Sequence, residues 1–375
     1  MIELQDIFRL HGEEFMHNRR LSPAQNKAFR AILNCRTAAL GGHTDTCDEC
    51  GYQRVSYNSC RNRHCPKCQT YAKEQWVEKQ NQNLLNTGYF HVVFTLPDSL
   101  NSVLYQNQTV MYNLFFRAAS ETLLELGNNK KFLGAKLGIT TVLHTWGQRL
   151  LYHPHIHCIV TGGGLTGDGK WVYSRKKFLF PIKVLSRKFR GKFMFFLKQA
   201  KLSFYSGISH LENLQEFDLF VSSLYKKDWI VYCKPPFKSA AKVVEYLGRY
   251  THRVAISNNR ILKLENGCVT FKWRDYRDSN KNKAMTVTAN EFIRRFMMHI
   301  LPLGFCKIRH FGILASRDKS DRLALCQRLT NTKPVIAGLL TGKEFIETVV
   351  GIDFDLCPCC GVGHLARASP DSVTA

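Results

Sequence analysis

The stretch LLYHPHIHCIV, residues 150 to 160, places several histidines on one short apolar segment. In an extended strand, residues i and i+2 face the same side, so His155 and His157 project together while Ile156 points to the opposite face. Two imidazoles about 7 Å apart along a strand can converge on one divalent ion. Two histidines on one face would otherwise both need buried partners. The pair therefore predicts a metal site with open positions, which is the catalytic type.

A third ligand is expected from a neighbouring strand. The stretch LHTWGQ supplies His144 and Gln148, which share a face in an extended chain. A turn centred between Leu150 and Leu151 would put His144 directly opposite His157. We therefore favour His144 as the third ligand and keep Gln148 as the alternative.

Two CxxC pairs, CDEC and CPKC, lie close together near the N-terminus. Each pair can present two thiolates to one ion, and two pairs complete a tetrahedron, which Zn²⁺ accepts readily. Such a site has no open position, so its role is structural, and metal binding would stabilise a segment with few large apolar residues. The predicted ligands of this structural zinc are Cys47, Cys50, Cys65 and Cys68.

Other cysteines and histidines leave further sites open. A second, interleaved Cys₂His₂ site would use Cys35, His43, Cys60 and His64. These residues fit packing or contact with phosphate equally well. Near the C-terminus, CPCCGVGH offers Cys357, Cys360 and His364, but a single CxxC pair also occurs without a metal.

The stretch EYLGRYTHR places two tyrosines four residues apart, which puts Tyr246 and Tyr250 on one face of a helix. An aromatic stripe that packs into the core is the simple explanation. However, Gly248 lies between them and weakens the helix without an evident packing role. A phenol with a pKa of about 10 is a poor nucleophile unless a metal polarises its target or cations favour the phenolate. Cations on this helix that could also contact DNA are Lys242, Arg249 and Arg253.

The net charge of +24 and the isoelectric point near 9.6 indicate a polyanionic partner. Nucleic acid is the leading candidate, and Arg61 and Arg63 give the cysteine-rich segment a basic surface suited to DNA phosphates. An anionic membrane is the rival, but no apolar run is long enough to span a bilayer. The N-terminus lacks the pattern of a secretory signal. We therefore expect a cytoplasmic, nucleoid-associated protein without a membrane partner, whose cysteines are metal ligands or buried thiols.

The elements that must position these residues alternate between helix and strand. The stretch LSPAQNKAFRAIL begins a helix with Ser22 as N-cap, and GYFHVVFTLP is β-branched and aromatic up to a proline, which predicts a strand. Further strands are expected at 136–151, at HIHCIVTGG and at WVYSRKKFLF. Residues 174–201 alternate basic and aromatic residues, which fits a single-stranded DNA surface or an amphipathic helix with its rings in the core.

Taken in order, CDEC…CPKC, FTLP, LHTWGQ, HPHIHCIV, YLGRYTHR and KIRHFG form a set that resembles the two-tyrosine rolling-circle transposases of bacterial insertion sequences, of the insertion-sequence-91 type. These belong to the wider His-hydrophobe-His (HUH) endonucleases. The resemblance runs from about Cys35 to about Arg317. It implies that His155 and His157 hold a catalytic Mg²⁺ or Mn²⁺ and that Tyr246 and Tyr250 are the nucleophiles.

By this resemblance, one tyrosine attacks single-stranded DNA at the ends of the mobile element, forms a 5′-phosphotyrosine and frees a 3′-hydroxyl. The second tyrosine cuts another strand, including target DNA, while the first remains attached. No nucleotide cofactor is expected because the covalent bond keeps the phosphodiester energy. The alternatives are a plasmid-type replication initiator or relaxase, and a zinc-ribbon protein that binds DNA without cutting it.

The implied fold class is α+β. A helical, zinc-binding and DNA-binding module would occupy residues 1–85. The HUH endonuclease domain, a central antiparallel sheet flanked by helices, would follow over residues 86–258, and a smaller mixed α/β region with a frayed tail would occupy residues 259–375.

Overall fold

The computed structural model describes residues 2–175, 178–237, 243, 248, 254–333, 343, 344, 347, 351 and 353–367. The helices are α1 (Leu4–His17), α2 (Pro23–Leu33), α3 (Gln69–Asn81), α4 (Asn101–Gln106), α5 (Gln108–Asn128), α6 (Ile182–Gln199), α7 (Leu214–Tyr225), α8 (Ala289–Met297) and α9 (Lys319–Leu329). The strands are β1 (Gly42–Cys47), β2 (Gln53–Tyr57), β3 (Tyr89–Thr95), β4 (Lys136–Trp146), β5 (Tyr152–Leu165), β6 (Trp171–Tyr173), β7 (Val231–Phe237), β8 (Ile261–Glu265), β9 (Cys268–Asp275), β10 (Lys281–Thr288), β11 (Ile308–Gly312) and β12 (Leu365–Arg367).

A six-stranded antiparallel sheet forms the centre of the protein. Its strands lie in the order β11-β4-β5-β3-β7, and β6 pairs with the end of β5. Helices α5 and α6 pack against each other, and α5 also packs on β4 and β5. The expected α+β class, with a central antiparallel sheet and flanking helices, is confirmed.

Side-chain alternation divides the two faces of this sheet. Ile156, Cys158 and Val160 of β5 point into the main hydrophobic core, together with Val92 and Phe94 of β3. The odd-numbered residues of both strands therefore point to the opposite face, because successive side chains of a strand alternate. The histidine pair of β5 lies on that opposite face, so the core packing of the even-numbered residues fixes its orientation.

Residues 174–201 were expected to form either a single-stranded DNA surface or an amphipathic helix with its rings in the core, and helix α6 decides between these two explanations. Phe189 and Phe193 are fully buried in the main core, and their rings contact Trp229 at centroid distances of 5.4 and 5.3 Å. The amphipathic alternative is therefore confirmed for this helix, and these rings do not stack on DNA bases. The strand expected at WVYSRKKFLF is much shorter than predicted, since β6 ends at Tyr173.

A second hydrophobic core joins the N-terminal helices α1 and α2 to α8. Phe8 of α1 stacks on Phe29 of α2 at 4.5 Å and meets Phe296 of α8 edge-on at 5.7 Å. Trp146 and Leu150, from the turn between β4 and β5, belong to the same core. Helix α2 begins as predicted, because the Gln25 backbone N–H donates to Ser22 Oγ at 3.3 Å. The division at residues 85 and 258 stays a prediction.

A third sheet, β12-β1-β2, contains the cysteine-rich segment, and strands β8 to β10 form a separate antiparallel sheet. Within the described ranges, no helix combines the length and the apolar character needed to cross a membrane.

Replacing Phe189 by Ala is expected to lower the free energy of unfolding by about 3–5 kcal/mol, because it removes a fully buried ring from the main core. Phe195 lies on the same helix but is 59% exposed, so Phe195→Ala should change stability by no more than about 0.5 kcal/mol. Urea unfolding followed by far-ultraviolet circular dichroism measures both. Equal losses in the two variants would contradict the assigned orientation of α6.

Candidate metal centre and cysteine clusters

Three histidines converge on the face of the central sheet that points away from the main core. His144 of β4 and His155 and His157 of β5 each offer a ring nitrogen, and these atoms lie within 4.8 Å of one another. The ring centroids of His155 and His157 are 4.8 Å apart, and that of His144 lies 4.6 Å from His157. His144 and His157 are buried, whereas His155 is partly exposed. Three imidazoles at these distances fit a divalent ion that keeps open positions.

The register of β4 against β5 differs from the predicted register. His144 pairs directly with His155, and His157 pairs with Val142. The expected pairing of His144 with His157 is therefore wrong. The turn is centred between Arg149 and Leu150, one residue earlier than expected, and within it the Leu150 N–H donates to the Gly147 carbonyl at 3.1 Å, with Leu150 at φ 59°. His144 still joins the cluster, because a pleated strand pair brings diagonal neighbours within reach of long side chains.

The Nδ1 atoms of His155 and His157 both have hydrogen-bond partners that orient the imidazole rings. His155 Nδ1 lies 2.8 Å from the His153 carbonyl oxygen, to which it donates. His157 Nδ1 lies 2.8 Å from Nε2 of His91, a buried residue of β3. In each ring, Nε2 is then the nitrogen that would carry the lone pair for a metal. Such hydrogen bonds fix the tautomer and the orientation of a metal-binding imidazole.

His91 is a residue that the sequence analysis missed. Burial lowers the pKa of His91 to about 3, so its ring is neutral at neutral pH, and in the tautomer protonated on Nδ1 its Nε2 accepts the proton of His157 Nδ1–H. The two rings stack with centroids 5.1 Å apart. The sequence does contain a histidine at an odd-numbered position of GYFHVVFTLP. That this histidine lies beside His157 follows only from the pairing of Val93 with His157. Strand pairing between distant segments does not follow from one sequence.

Gln148, the alternative third ligand, lies outside the histidine cluster. Its side-chain amide donates to the Tyr276 hydroxyl at 2.9 Å, and its Oε1 accepts the Arg274 backbone N–H at 3.4 Å. Both ends of the amide are thus used to fasten the β4–β5 turn to the end of β9. The structure favours His144 over Gln148.

Eight of the cysteines form two clusters of four. The prediction that both CxxC pairs bind one ion is wrong, because each pair belongs to a different cluster. Cys65 and Cys68 lie with Cys35 and Cys60, and we call these four residues the inner cluster. The other CxxC pair belongs to a different group, which we call the outer cluster and which consists of Cys47, Cys50, Cys357 and Cys360. The physical reason is that the first pair lies on the β1–β2 turn, which is joined by the C-terminal segment, whereas the second lies at the start of α3.

The distances between sulfur atoms fit zinc in both clusters. In the inner cluster, Cys35 and Cys60 each lie 3.6 Å from Cys68, and Cys65 lies 3.7 Å from Cys35. A regular tetrahedron with Zn–S bonds of about 2.3 Å has an edge of about 3.8 Å. A disulfide would need about 2.05 Å. All four sulfurs of each cluster lie within 4.8 Å of one another, so the donor sets fit a closed structural site.

The predicted histidine ligands His43 and His64 belong to neither cluster. His43 Nε2 lies 3.7 Å from the Asp45 carboxylate. His64 Nε2 accepts the Leu301 backbone N–H at 3.4 Å, and burial lowers the pKa of His64 well below its usual value. The interleaved Cys₂His₂ site is therefore wrong in its histidines, although Cys35 and Cys60 do lie in a four-sulfur group.

The two predicted DNA-binding arginines of this segment differ in their surroundings. Arg61 is exposed, as a phosphate contact requires. Arg63 instead donates to the backbone carbonyls of Pro302, at 2.9 Å, and Phe305. The structure corrects the assignment of Arg63, because its guanidinium holds two parts of the chain together.

The two tyrosines and the cations beside them lie outside the described residues: Tyr246, Tyr250, Lys242, Arg249 and Arg253. Two described residues of that segment do make contacts. Val243 is fully buried in a cluster with Tyr89 and Ile159, and Ile159 shares the face of β5 that carries the histidine pair.

Gly248 has a packing role, which corrects the sequence interpretation. A Cβ atom at this position would lie 2.5 Å from Cγ2 of Val77 in α3. The glycine therefore permits a close approach to α3.

The α+β fold and the four-cysteine clusters define a zinc-binding protein, and the three histidines form a further group that could hold a metal ion. Comparison with known proteins narrows this class. The family model described as "Putative transposase" matches residues 138–321, and the one described as "Transposase zinc-binding domain" matches residues 7–96.

Two relatives match along nearly the whole chain. A putative transposase y4qJ of Sinorhizobium fredii is 46% identical over 97% of this chain and 94% of its own length. The transposase for insertion sequence element IS801 of Pseudomonas savastanoi pv. phaseolicola is 31% identical over 92% of this chain and 83% of its own length. The chain therefore belongs to the insertion-sequence-91 family of transposases, as its motifs indicated. No solved structure matches it significantly.

Replacing His91 by Leu is expected to weaken divalent-metal binding at the histidine cluster by about 10- to 100-fold, because the hydrogen bond that orients His157 is lost. His91→Gln should restore much of the affinity, since the amide oxygen can accept the same proton. Calorimetric titration of zinc-loaded protein with Mn²⁺ measures this.

A matched control is His153→Leu, because His153 is on the same strand and its backbone carbonyl, which orients His155, is retained. An unchanged Mn²⁺ affinity in His91→Leu would show that His91 only fills space.

Proposed function

We propose that this transposase cuts and rejoins single-stranded DNA through 5′-phosphotyrosine intermediates and so drives rolling-circle transposition of an insertion sequence. The observation that carries the proposal is the cluster of His144, His155 and His157 on two paired strands, with His155 partly exposed. Three imidazoles that converge with an open side are suited to catalysis at a metal.

The three histidines would hold the catalytic ion, with Nε2 of His155 and His157 as donors. When bound, a divalent metal polarises the scissile phosphate and stabilises the charge that develops on it. Imidazole ligands do not by themselves select Mg²⁺ or Mn²⁺, so this choice rests on the family resemblance.

The nucleophile in this proposal is the phenolate oxygen of Tyr246 or Tyr250. It forms a bond to phosphorus while the bond from phosphorus to the 3′ oxygen breaks, and that oxygen leaves and takes up a proton. The DNA 5′ end is then attached to the protein, and attack by a 3′-hydroxyl reverses the step. The bond count is unchanged, so strand joining needs no nucleotide cofactor.

One described residue near the two tyrosines in sequence, Val243, contacts the face of the sheet that carries the histidines, and this contact supports the proposal. Val243 packs against Ile159, which is two residues from His157 on the same strand face.

The DNA partner follows from the family and from the charge. A transposase acts on DNA, and the net charge of +24 suits a polyanion. Single-stranded element ends and target DNA are the proposed substrates, because an HUH site of this kind cuts unpaired strands in the family it resembles.

Replacing both Tyr246 and Tyr250 by Phe is expected to abolish a covalent protein–DNA adduct, because phenylalanine keeps the ring but lacks the attacking oxygen. The measurement incubates the protein with Mg²⁺ and single-stranded DNA from the element ends and resolves the products under denaturing conditions. Each single variant should keep an adduct through the other tyrosine. DNA affinity should be largely unchanged, since phenylalanine retains the aromatic ring and removes only the hydroxyl.

Tyr205→Phe is the control, because Tyr205 is 62% exposed and lies outside the family motifs. An adduct that persists in the double variant would rule out these nucleophiles. Tight DNA binding by the wild-type chain without any adduct would favour the non-catalytic DNA-binding alternative.

A further inference from the structure

The outer cluster is assembled from the two ends of the chain. Cys47 and Cys360 are 313 positions apart, and their sulfur atoms lie 3.8 Å from each other. Cys50 and Cys357 are 307 positions apart, with sulfur atoms 3.7 Å from each other. The zinc-binding family model ends at residue 96, so it contains only half of this cluster.

The C-terminal pair has the local geometry of thiolate ligands. The Cys359 backbone N–H donates to Cys357 Sγ at 3.4 Å, and the Gly363 N–H donates to Cys360 Sγ at 3.3 Å. Backbone donors aimed at sulfur favour the charged thiolate over the thiol. Sulfur separations of 3.7 and 3.8 Å match the edge of a zinc tetrahedron, about 3.8 Å, and exceed a disulfide bond by far.

Gly363 allows the two ends to approach this closely. A Cβ atom there would lie 2.6 Å from Cys47 Sγ and 2.7 Å from Asp48 Oδ1. The same Asp48 oxygen accepts the His364 backbone N–H at 2.7 Å. The cluster therefore lies at a closely packed, hydrogen-bonded contact between the two segments.

Strand pairing and one arginine continue this contact beyond the cysteines. Strand β12 pairs with β1 so that Leu365 lies opposite Cys47, which makes the C-terminal segment the third strand of the β12-β1-β2 sheet. Arg54 of β2 donates to the Phe354 carbonyl at 2.8 Å, and its guanidinium lies 4.1 Å from the centroid of the Phe354 ring.

The apolar core at this contact is too small to hold it alone. Among the residues that the structure describes, its buried members are Cys47, Cys357 and Leu365, with Cys360 packed against them. A sheet of three short strands with one buried leucine needs another source of stability, and four thiolates around one ion can supply it.

We propose that a second zinc ion, bound by Cys47, Cys50, Cys357 and Cys360, fastens the C-terminal segment of residues 353–367 to the N-terminal module. The first zinc occupies the inner cluster and stabilises the module from within. The second zinc closes the chain end to end and keeps β12 in its sheet. This inference is independent of the cleavage chemistry, because it concerns metal content and strand pairing.

The test is the zinc content of the purified full-length chain, measured by mass spectrometry of the metal. The wild-type chain should hold two zinc ions, and the double variant Cys357→Ser, Cys360→Ser should hold one. Cys359→Ser is the matched control, because Cys359 is exposed in the same loop and lies outside the cluster, so this variant should keep two.

A second measurement on the unaltered chain covers the case in which the double variant misfolds. Iodoacetamide should modify the exposed Cys306 and Cys359 in the zinc-loaded protein, whereas the four outer-cluster cysteines stay protected. A chelator should expose those four together and speed amide exchange of β12 at the same time.

One zinc per wild-type chain, or two in the double variant, would overturn the proposal. Recovery of the outer cysteines as disulfides under native conditions, with no second zinc, would also overturn it and identify a redox contact instead.

Discussion

The pairing of β4 with β5 is the constraint on which the candidate active site depends. Ile156 and Val160 are held in the main core, so the strand cannot slip by one residue without turning its apolar side chains outward. That packing sets the opposite face, on which His155 and His157 project towards His144. Burial of apolar surface on one side of a sheet thus positions polar chemistry on the other side.

The turn of this hairpin connects the site to the second core. Leu150 is fully buried among residues of the N-terminal and C-terminal helices, and the buried His299 Nε2 lies 3.0 Å from its carbonyl oxygen. Gln148 is fastened to the sheet of β8 to β10. The positions of the three histidines therefore depend on parts of the chain that lie far from them in sequence, because the second core links the hairpin of the central sheet to α1, α2 and α8.

The cysteine-rich segment depends on a source of stability other than apolar burial. It has little apolar surface to bury, and its side chains instead form two groups of four sulfurs. The inner group lies beside the second core, where Cys35 and Cys65 are fully buried, whereas the outer group lies where the chain ends meet. The family models match the zinc-binding segment and the transposase segment separately, and the packing joins these two segments into one structure.

The sequence by itself determined the features that follow from the spacing of nearby residues. The period of two put His155 and His157 on one face, the capping box began α2 at Pro23, and the ordered motifs identified the family. Tertiary structure alone decided the partners of the cysteine pairs, the support of His157 by His91, and the close approach of Gly248 to α3. The physical reason is that local spacing fixes which way a side chain points. Its partner is fixed by the packing of segments up to hundreds of residues apart, which no short pattern encodes.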